Sequence, residues 1–211
     1  MSDTGESLPD PGFADAGRPN AGARRPDSAS AGASVAAIVL AGGAGSRMGG
    51  VDKPALELDG STLLARCMAA AQAVDCFPVV VVGREVGGGP VAALADGIAR
   101  IPTSVPEAIL LAGDLVHPDR IVTRLVRAAI GERDGVVLVD PDGREQWLAA
   151  RYRLEPLRDA LAALGDPVGA SLRRLVLDLA RVPAPAEELA DVDTWQDYER
   201  ATAHAKGQTH G

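Results

Sequence analysis

SVAAIVLAGGAGSRMGGVDKP, Ser34 to Pro54, is the stretch from which the fold can be read. Its first eight residues, Ser34–Ala41, are a short apolar run that stops at Gly42-Gly43, the pattern of a strand buried on both faces. Five glycines follow within nine residues (Gly42, Gly43, Gly45, Gly49, Gly50), and Arg47 and Lys53 are the only cations of the stretch. Glycine reaches positive φ without penalty and lets a ligand approach the backbone, so successive N–H groups can form an anion nest. A phosphate chain is the best guest, since a guanidinium grips two oxygens while an ammonium acts as a point charge. Two familiar phosphate loops are excluded. A Walker loop needs Lys directly after its last Gly, and Gly50 is followed by Val51. The dinucleotide fingerprint needs GxGxxG opening a helix, whereas Gly43, Gly45 and Gly49 are spaced GxGxxxG and the next helix signal starts near Ser61.

Outward from this loop the chain alternates strand and helix signals. Leu63, Leu64, Cys67, Met68, Ala71 and Val74 recur at helical spacing behind a Ser61/Thr62 cap. Pro78–Gly83 (PVVVVG) reads as a second buried strand, followed by REVGGG and a helix opened by Pro90 with Val91, Leu94, Ala95 and Ile98 on one face. Glu107–Asp114 (EAILLAGD) is a third strand, and Ile121, Val122, Leu125, Val126 and Ile130 mark a helix after Pro118. GVVLVD and EQWLAARY flank the turn signal Pro141-Asp142-Gly143 and predict two strands joined tightly. Such alternation predicts a three-layer α/β fold, a mostly parallel sheet with helices on both faces. Ligands of these sheets sit beyond the carboxyl ends of the strands, where both the glycine loop and Asp114 fall.

The 211 residues suffice for one domain with a real core; aromatics are only 3%, so that core is built from Ala, Val and Leu. A net charge of −8 disfavours broad electrostatic binding to nucleic acid or an anionic membrane. Cys67 and Cys76 have no metal-ligand spacing, are too few for a disulfide framework, and sit in helix-like and strand-like contexts. A reducing cytoplasm is the expected setting. Residues 1–34, poor in large apolar side chains, are expected to be a disordered extension with neither a secretory apolar region nor a membrane span. Residues 35–203 are expected to form the domain and 204–211 a flexible tail.

LAGGAGSRMGGVDKP resembles the signature of the MobA-like nucleotidyltransferases, LAGGxSxRMGxxK, and above all that of molybdenum cofactor guanylyltransferase. The similarity continues through GGPVAAL, LLAGDLVHP, VVLVDPDGREQWLAARYR, SLRRLV and DVDTWQDYERA. The resemblance implies a nucleotide-diphospho-sugar transferase-like, Rossmann-like fold. It also implies Mg²⁺-dependent transfer of GMP from GTP to the phosphate of molybdenum-molybdopterin, with release of pyrophosphate. Carried over by position, Leu40, Ala41, Gly42 and Gly43 contact the nucleotide, Arg47 clamps the departing pyrophosphate, Lys53 neutralises phosphate, and Asp114 binds GTP and the metal. Asp193 stands where the family often has Asn near the metal. Alternatively it favours a helix start behind a Thr194/Asp197 capping box. Arg173 and Arg174 fall on a short helix and read as a solvated face; Trp147 and Trp195 read as packing residues, the former in the hairpin that would border the acceptor. His117, just before Pro118, is given no catalytic role.

One departure stands out. Only REVGGG separates Gly83 from Pro90, where the family has a longer connection, commonly with a nucleotide-contacting Asp. Gly42-Gly43 favours GTP over CTP, since the cytidylyl branch commonly has LAAG. The alternatives are a cytidylyl- or sugar-phosphate nucleotidyltransferase, or a nucleotide-binding module whose catalysis weakened with that shortening.

Overall fold

The computed structural model describes residues 35–42, 49–186 and 194–208, with the side chains of 204–208 left aside. The chain divides into Met1–Ala31 and Gly32–Gly211, and the described residues all belong to the second unit. Residues 1–34, Gly43, Arg47 and Asp193 lie outside the described residues, as does 209–211.

In chain order the elements are β1 (Val35–Leu40), β2 (Glu57–Leu58), β3 (Ser61–Thr62), α1 (Leu63–Gln72), β4 (Val79–Val82) and α2 (Pro90–Ala99). They continue with β5 (Glu107–Ala112), α3 (Pro118–Arg127), β6 (Gly135–Val139), β7 (Glu145–Arg153), α4 (Leu154–Leu164), α5 (Leu172–Val176), β8 (Arg181–Pro185) and α6 (Trp195–Gln208). Six strands form one sheet in the order β4-β1-β5-β7-β6-β8, while β2 and β3 pair separately. β1 pairs parallel with β4 and β5, β8 pairs parallel with β6, and β7 alone runs against its neighbours. The expected three-layer, mostly parallel α/β architecture is therefore present.

β1 shows why the sheet needs cover on both sides. Its side chains alternate with a period of two: Ala36, Ile38 and Leu40 join α2, α4 and α5 in one core, and Ala37 and Val39 join α1 and α3 in the other. A strand apolar at every position is the consequence. A third, smaller cluster of Leu58, Leu63 and Val116, with Val51, Leu56 and Tyr198 against it, holds the segment after the glycine loop and the face of α6. Tyr198 also donates its hydroxyl to the Glu57 carbonyl at 2.7 Å. The Thr194/Asp197 capping box is formed: the Asp197 carboxylate accepts from the Thr194 N–H, and the Thr194 hydroxyl accepts from the Asp197 N–H.

Two local readings change. Cys76 lies in the turn before β4, not in a strand; its N–H donates to Ala71, and Asp75 at φ 59° reverses the chain there. The helices expected to reach Val74 and Ile130 stop at Gln72 and Arg127, ahead of those residues. α6 carries helical backbone to Gln208. The strand β8 went unread because Pro183 and Pro185 argue against a strand. The Ala186 N–H donates to Val139 on β6, so the two-residue alternation turns positions 183 and 185 to the open side. The prolines thus remove outward N–H groups from an edge, which also blocks pairing with another chain.

Arg151 of β7 is a buried charge held from three sides. It pairs with Glu107 at 3.5 Å and donates to the carbonyls of Val126 and Ala128 at 3.0 and 2.6 Å, tying β7 and β5 to the end of α3. Beside it in sequence, Tyr152 is fully buried with a hydroxyl that has no hydrogen-bond partner among the described residues, and burial pushes its phenol well above the usual range. An unsatisfied buried hydroxyl costs about 1–3 kcal/mol. Tyr152→Phe is therefore expected to leave the urea midpoint unchanged or raise it, and a loss above about 1 kcal/mol would reveal a partner for the hydroxyl.

Candidate active site

The carboxyl ends of β4, β1 and β5 lie side by side, and the backbone there is unusually close. The Ala41 N–H donates to Val82 at 2.8 Å, and the Gly113 N–H donates to Leu40 at 3.0 Å. A Cβ on Gly113 would lie 3.1 Å from both the Ala41 Cα and the Leu40 oxygen, so glycine is what allows this approach. The residue after it, Asp114, is thereby delivered beside Ala41-Gly42.

Lys53 arrives from the other end of the glycine stretch. It opens a short 3₁₀ turn, Lys53–Ala55, anchored by buried Pro54. Its Nζ stands 3.7 Å from the Asp114 carboxylate, with 13% of the Lys53 side chain and 20% of that of Asp114 exposed. At that depth the pair is partly shielded from water yet open to a ligand, so its charges act more strongly than on a free surface. Leu40 and Ala41 are buried at the strand end and Gly42 is exposed. The structure thus brings together Leu40, Ala41, Gly42, Lys53 and Asp114.

Sequence reasoning passed over Arg84 and Glu85, the charged pair that directly follows β4. The Arg84 guanidinium lies 3.4 Å from the Val51 carbonyl and 3.6 Å from the Asp52 carboxylate, tying the end of the glycine stretch to the end of β4. The usable signal was position: opposite charges immediately after an apolar strand, at the end where ligands collect. Arg173 and Arg174, by contrast, are exposed on α5, as expected of a solvated face. Trp147 packs against the larger core, while Trp195 is about half exposed and meets Tyr198 edge-on.

On the other flank of β5 lies a cavity of about 500 Å³, walled by Ala112, Asp140, Arg144, Gln146, Trp147 and Leu172 among others. Its polar groups are pre-ordered. Glu145 accepts from both the Trp147 indole and the Arg181 guanidinium at 3.0 Å. Asp140 accepts from the Arg144 N–H at 2.8 Å and from Gln146 at 2.9 Å, and these bonds, the first foremost, hold its carboxyl below the usual range. Cys67 lies beneath the site, its thiol 3.4 Å from the Ala112 carbonyl; burial pushes it up to about 12, so it is a neutral packing group and not a nucleophile.

A lysine and a carboxylate thus converge beside the glycine at the end of β1, with a second polar cavity alongside, at the end of the sheet where ligands of such folds collect. Residues 37–182 match the model of the MobA-like NTP transferase domain. The chain belongs to that family and is a nucleotidyltransferase. It is 32% identical over 186 residues to a probable molybdenum cofactor guanylyltransferase of Mycobacterium ulcerans, covering 78% of this chain and 91% of the relative. It is 38% identical over 146 residues to the bifunctional enzyme IspD/IspF of an Anaeromyxobacter species, covering 66% of this chain but only 35% of that longer enzyme. A nucleotidyl transferase from Methanothermobacter shares the fold with a TM-score of 0.63 at 23% identity, over 84% of this chain and all of that one. Among the described residues, no helix is long and apolar enough to cross a membrane.

Proposed function

We propose that this chain transfers GMP from GTP to the terminal phosphate of molybdopterin. An acceptor phosphate oxygen attacks the α-phosphorus, a new P–O bond forms, the α–β anhydride bond breaks, and pyrophosphate leaves with the bonding electrons. The observation that carries the reading is the Lys53–Asp114 pair at the joined ends of β1 and β5. The relationship to the Mycobacterium ulcerans guanylyltransferase supports the choice of nucleotide and acceptor.

Such a reaction needs charge neutralisation and in-line placement more than a strong base. Leu40, Ala41, Gly42 and Gly43 frame the nucleotide, Lys53 offsets charge on its phosphates, and Arg47 clamps the departing pyrophosphate. Asp114, with Asp193, would hold Mg²⁺: Asp114 is a partly exposed carboxylate at the strand ends, the hard oxygen donor that Mg²⁺ takes. The chemistry such an ion would supply there is neutralisation of phosphate charge. The cavity beside Ala112 receives the acceptor, with Trp147 and the fixed polar groups of the β6–β7 hairpin along its wall.

Purified protein incubated with Mg²⁺, molybdopterin and each nucleoside triphosphate in turn tests this. Pyrophosphate is expected with GTP and not with ATP, CTP or UTP. Release with CTP in place of GTP assigns the chain to the cytidylyl branch, and tight GTP binding without release from molybdopterin refutes the transfer.

A further inference from the structure

The six-stranded sheet places Asp114, which follows β5, but it does not place Lys53. β2 and β3, which follow the Lys53 turn, pair only with each other, so no strand ladder among the described residues ties that segment to β5. Side chains make the connection instead. Val51 and Leu56, on either side of Lys53, pack against the cluster of Leu58, Leu63 and Val116, and Val116 lies two residues beyond Asp114. α1 supplies Leu63, and the guanidinium of its Arg66 lies 3.4 Å from the Val116 carbonyl and 3.9 Å from the Asp59 carboxylate. A further hold comes from the far end of the chain. Tyr198 of α6, half-buried, packs against the same cluster and donates its hydroxyl to the Glu57 carbonyl at 2.7 Å. Trp195 meets its ring edge-on with 6.1 Å between centroids, and the Thr194/Asp197 capping box fixes the first turn of α6 beside them. A single side chain thus grips both the backbone that follows Lys53 and the apolar cluster that contains Val116.

We propose that Tyr198 is a positioning residue for the transfer: it presses the 51–58 segment against the cluster at the entry to α3 and so holds Lys53 in its place beside Asp114. The two parts of the side chain do different work. Apolar contact is non-directional and lets the segment slide, whereas the hydroxyl bond to Glu57 is directional and sets where β2 stops. Placement matters because a preorganised charge needs no reorganisation during the reaction, and a shift of about 1 Å caused far from the chemistry can cost about 10²-fold in rate. The proposal rests on the reading of Lys53 and Asp114 as the reacting centre and assigns to that centre a support from α6.

The test is a double-mutant cycle on pyrophosphate release from Mg·GTP and molybdopterin, with Tyr198→Ala and Tyr198→Phe each combined with Lys53→Ala. Tyr198→Ala is expected to lower kcat by about 10- to 100-fold. Tyr198→Phe keeps the ring and loses only the hydroxyl, and is expected to lower it by about fivefold. Because Tyr198 acts through Lys53, both losses are expected to shrink to about twofold or less once Lys53 is alanine. Losses as large in the Lys53→Ala background as in wild type would show that Tyr198 only supports the fold and overturn the proposal, as would full kcat in Tyr198→Ala. If Tyr198→Ala does not fold, as judged by circular dichroism, the Tyr198→Phe arm decides by the same criterion. Absence of pyrophosphate release from wild type, or full turnover by Lys53→Ala alone, refutes the underlying reading of the site instead.

Discussion

Replacing Asp114 by Asn is expected to lower the rate of pyrophosphate release by about 10³-fold or more while leaving the fold intact. The substitution keeps the shape of the side chain and removes its charge. Asp114 is 20% exposed at a strand end, so little packing depends on it. Its partner Lys53 loses its counter-charge, a loss of about 1 kcal/mol or somewhat more for a pair only partly open to water. Transfer suffers far more, because the carboxylate is the hard oxygen ligand that would fix Mg²⁺ against the phosphates. If this account holds, single-turnover rates fall steeply, raised Mg²⁺ restores part of the loss, and thermal unfolding moves by only a few degrees. Activity within threefold of wild type would put the reacting centre elsewhere.

Lys53→Ala should cost about 10²- to 10³-fold in turnover, the range seen when one preorganised donor is removed from a developing charge. Here the effect divides between binding and chemistry. An ammonium that touches the triphosphate in both ground and transition states mainly raises KM; one that meets charge developing toward pyrophosphate lowers kcat. The position of Lys53, on a turn held by buried Pro54 and aimed at the end of β5, favours the second outcome, because a fixed charge needs no reorganisation as the anhydride breaks. Lys53→Arg is expected to restore charge but not geometry, since a planar fork cannot occupy the place of a compact ammonium at 3.7 Å from Asp114. Steady-state kinetics with GTP as varied substrate separate these cases. Full kcat in the alanine variant would show that Lys53 is only a structural partner of Asp114.

The roles of the two glycine-flanked strand ends differ for a steric reason. At Gly113 the missing Cβ lets β5 close on β1, which sets Asp114 beside the carboxyl end of β1. At Gly42 and Gly83 the missing side chains let the end of β1 and the Glu85 carboxylate close on the backbone that follows β4.

Much of this protein is written locally. The apolar run Val35–Leu40 ending in glycine, the periodicity that makes α1, α2 and α3, and the turn at Pro141–Gly143 are each set by neighbouring residues, so strand, helix and hairpin were readable before any contact was known. Phosphate-handling chemistry was readable too, because glycines with an ordered Arg and Lys are a local pattern. Other features depend on long-range contacts. Pro183 and Pro185 argue against a strand until β6 shows which side of β8 needs its N–H groups. Lys53 and Asp114 become a pair only through the pairing of β1 with β5 and the close approach at Gly113. The charges of REVGGG carried no reading in the sequence; only the folded chain turns Arg84 toward the end of the glycine stretch and Glu85 onto the Gly83 N–H. Periodicity and turn chemistry act over a few residues and survive in the sequence; charge pairs across strands depend on register, which only the folded sheet decides.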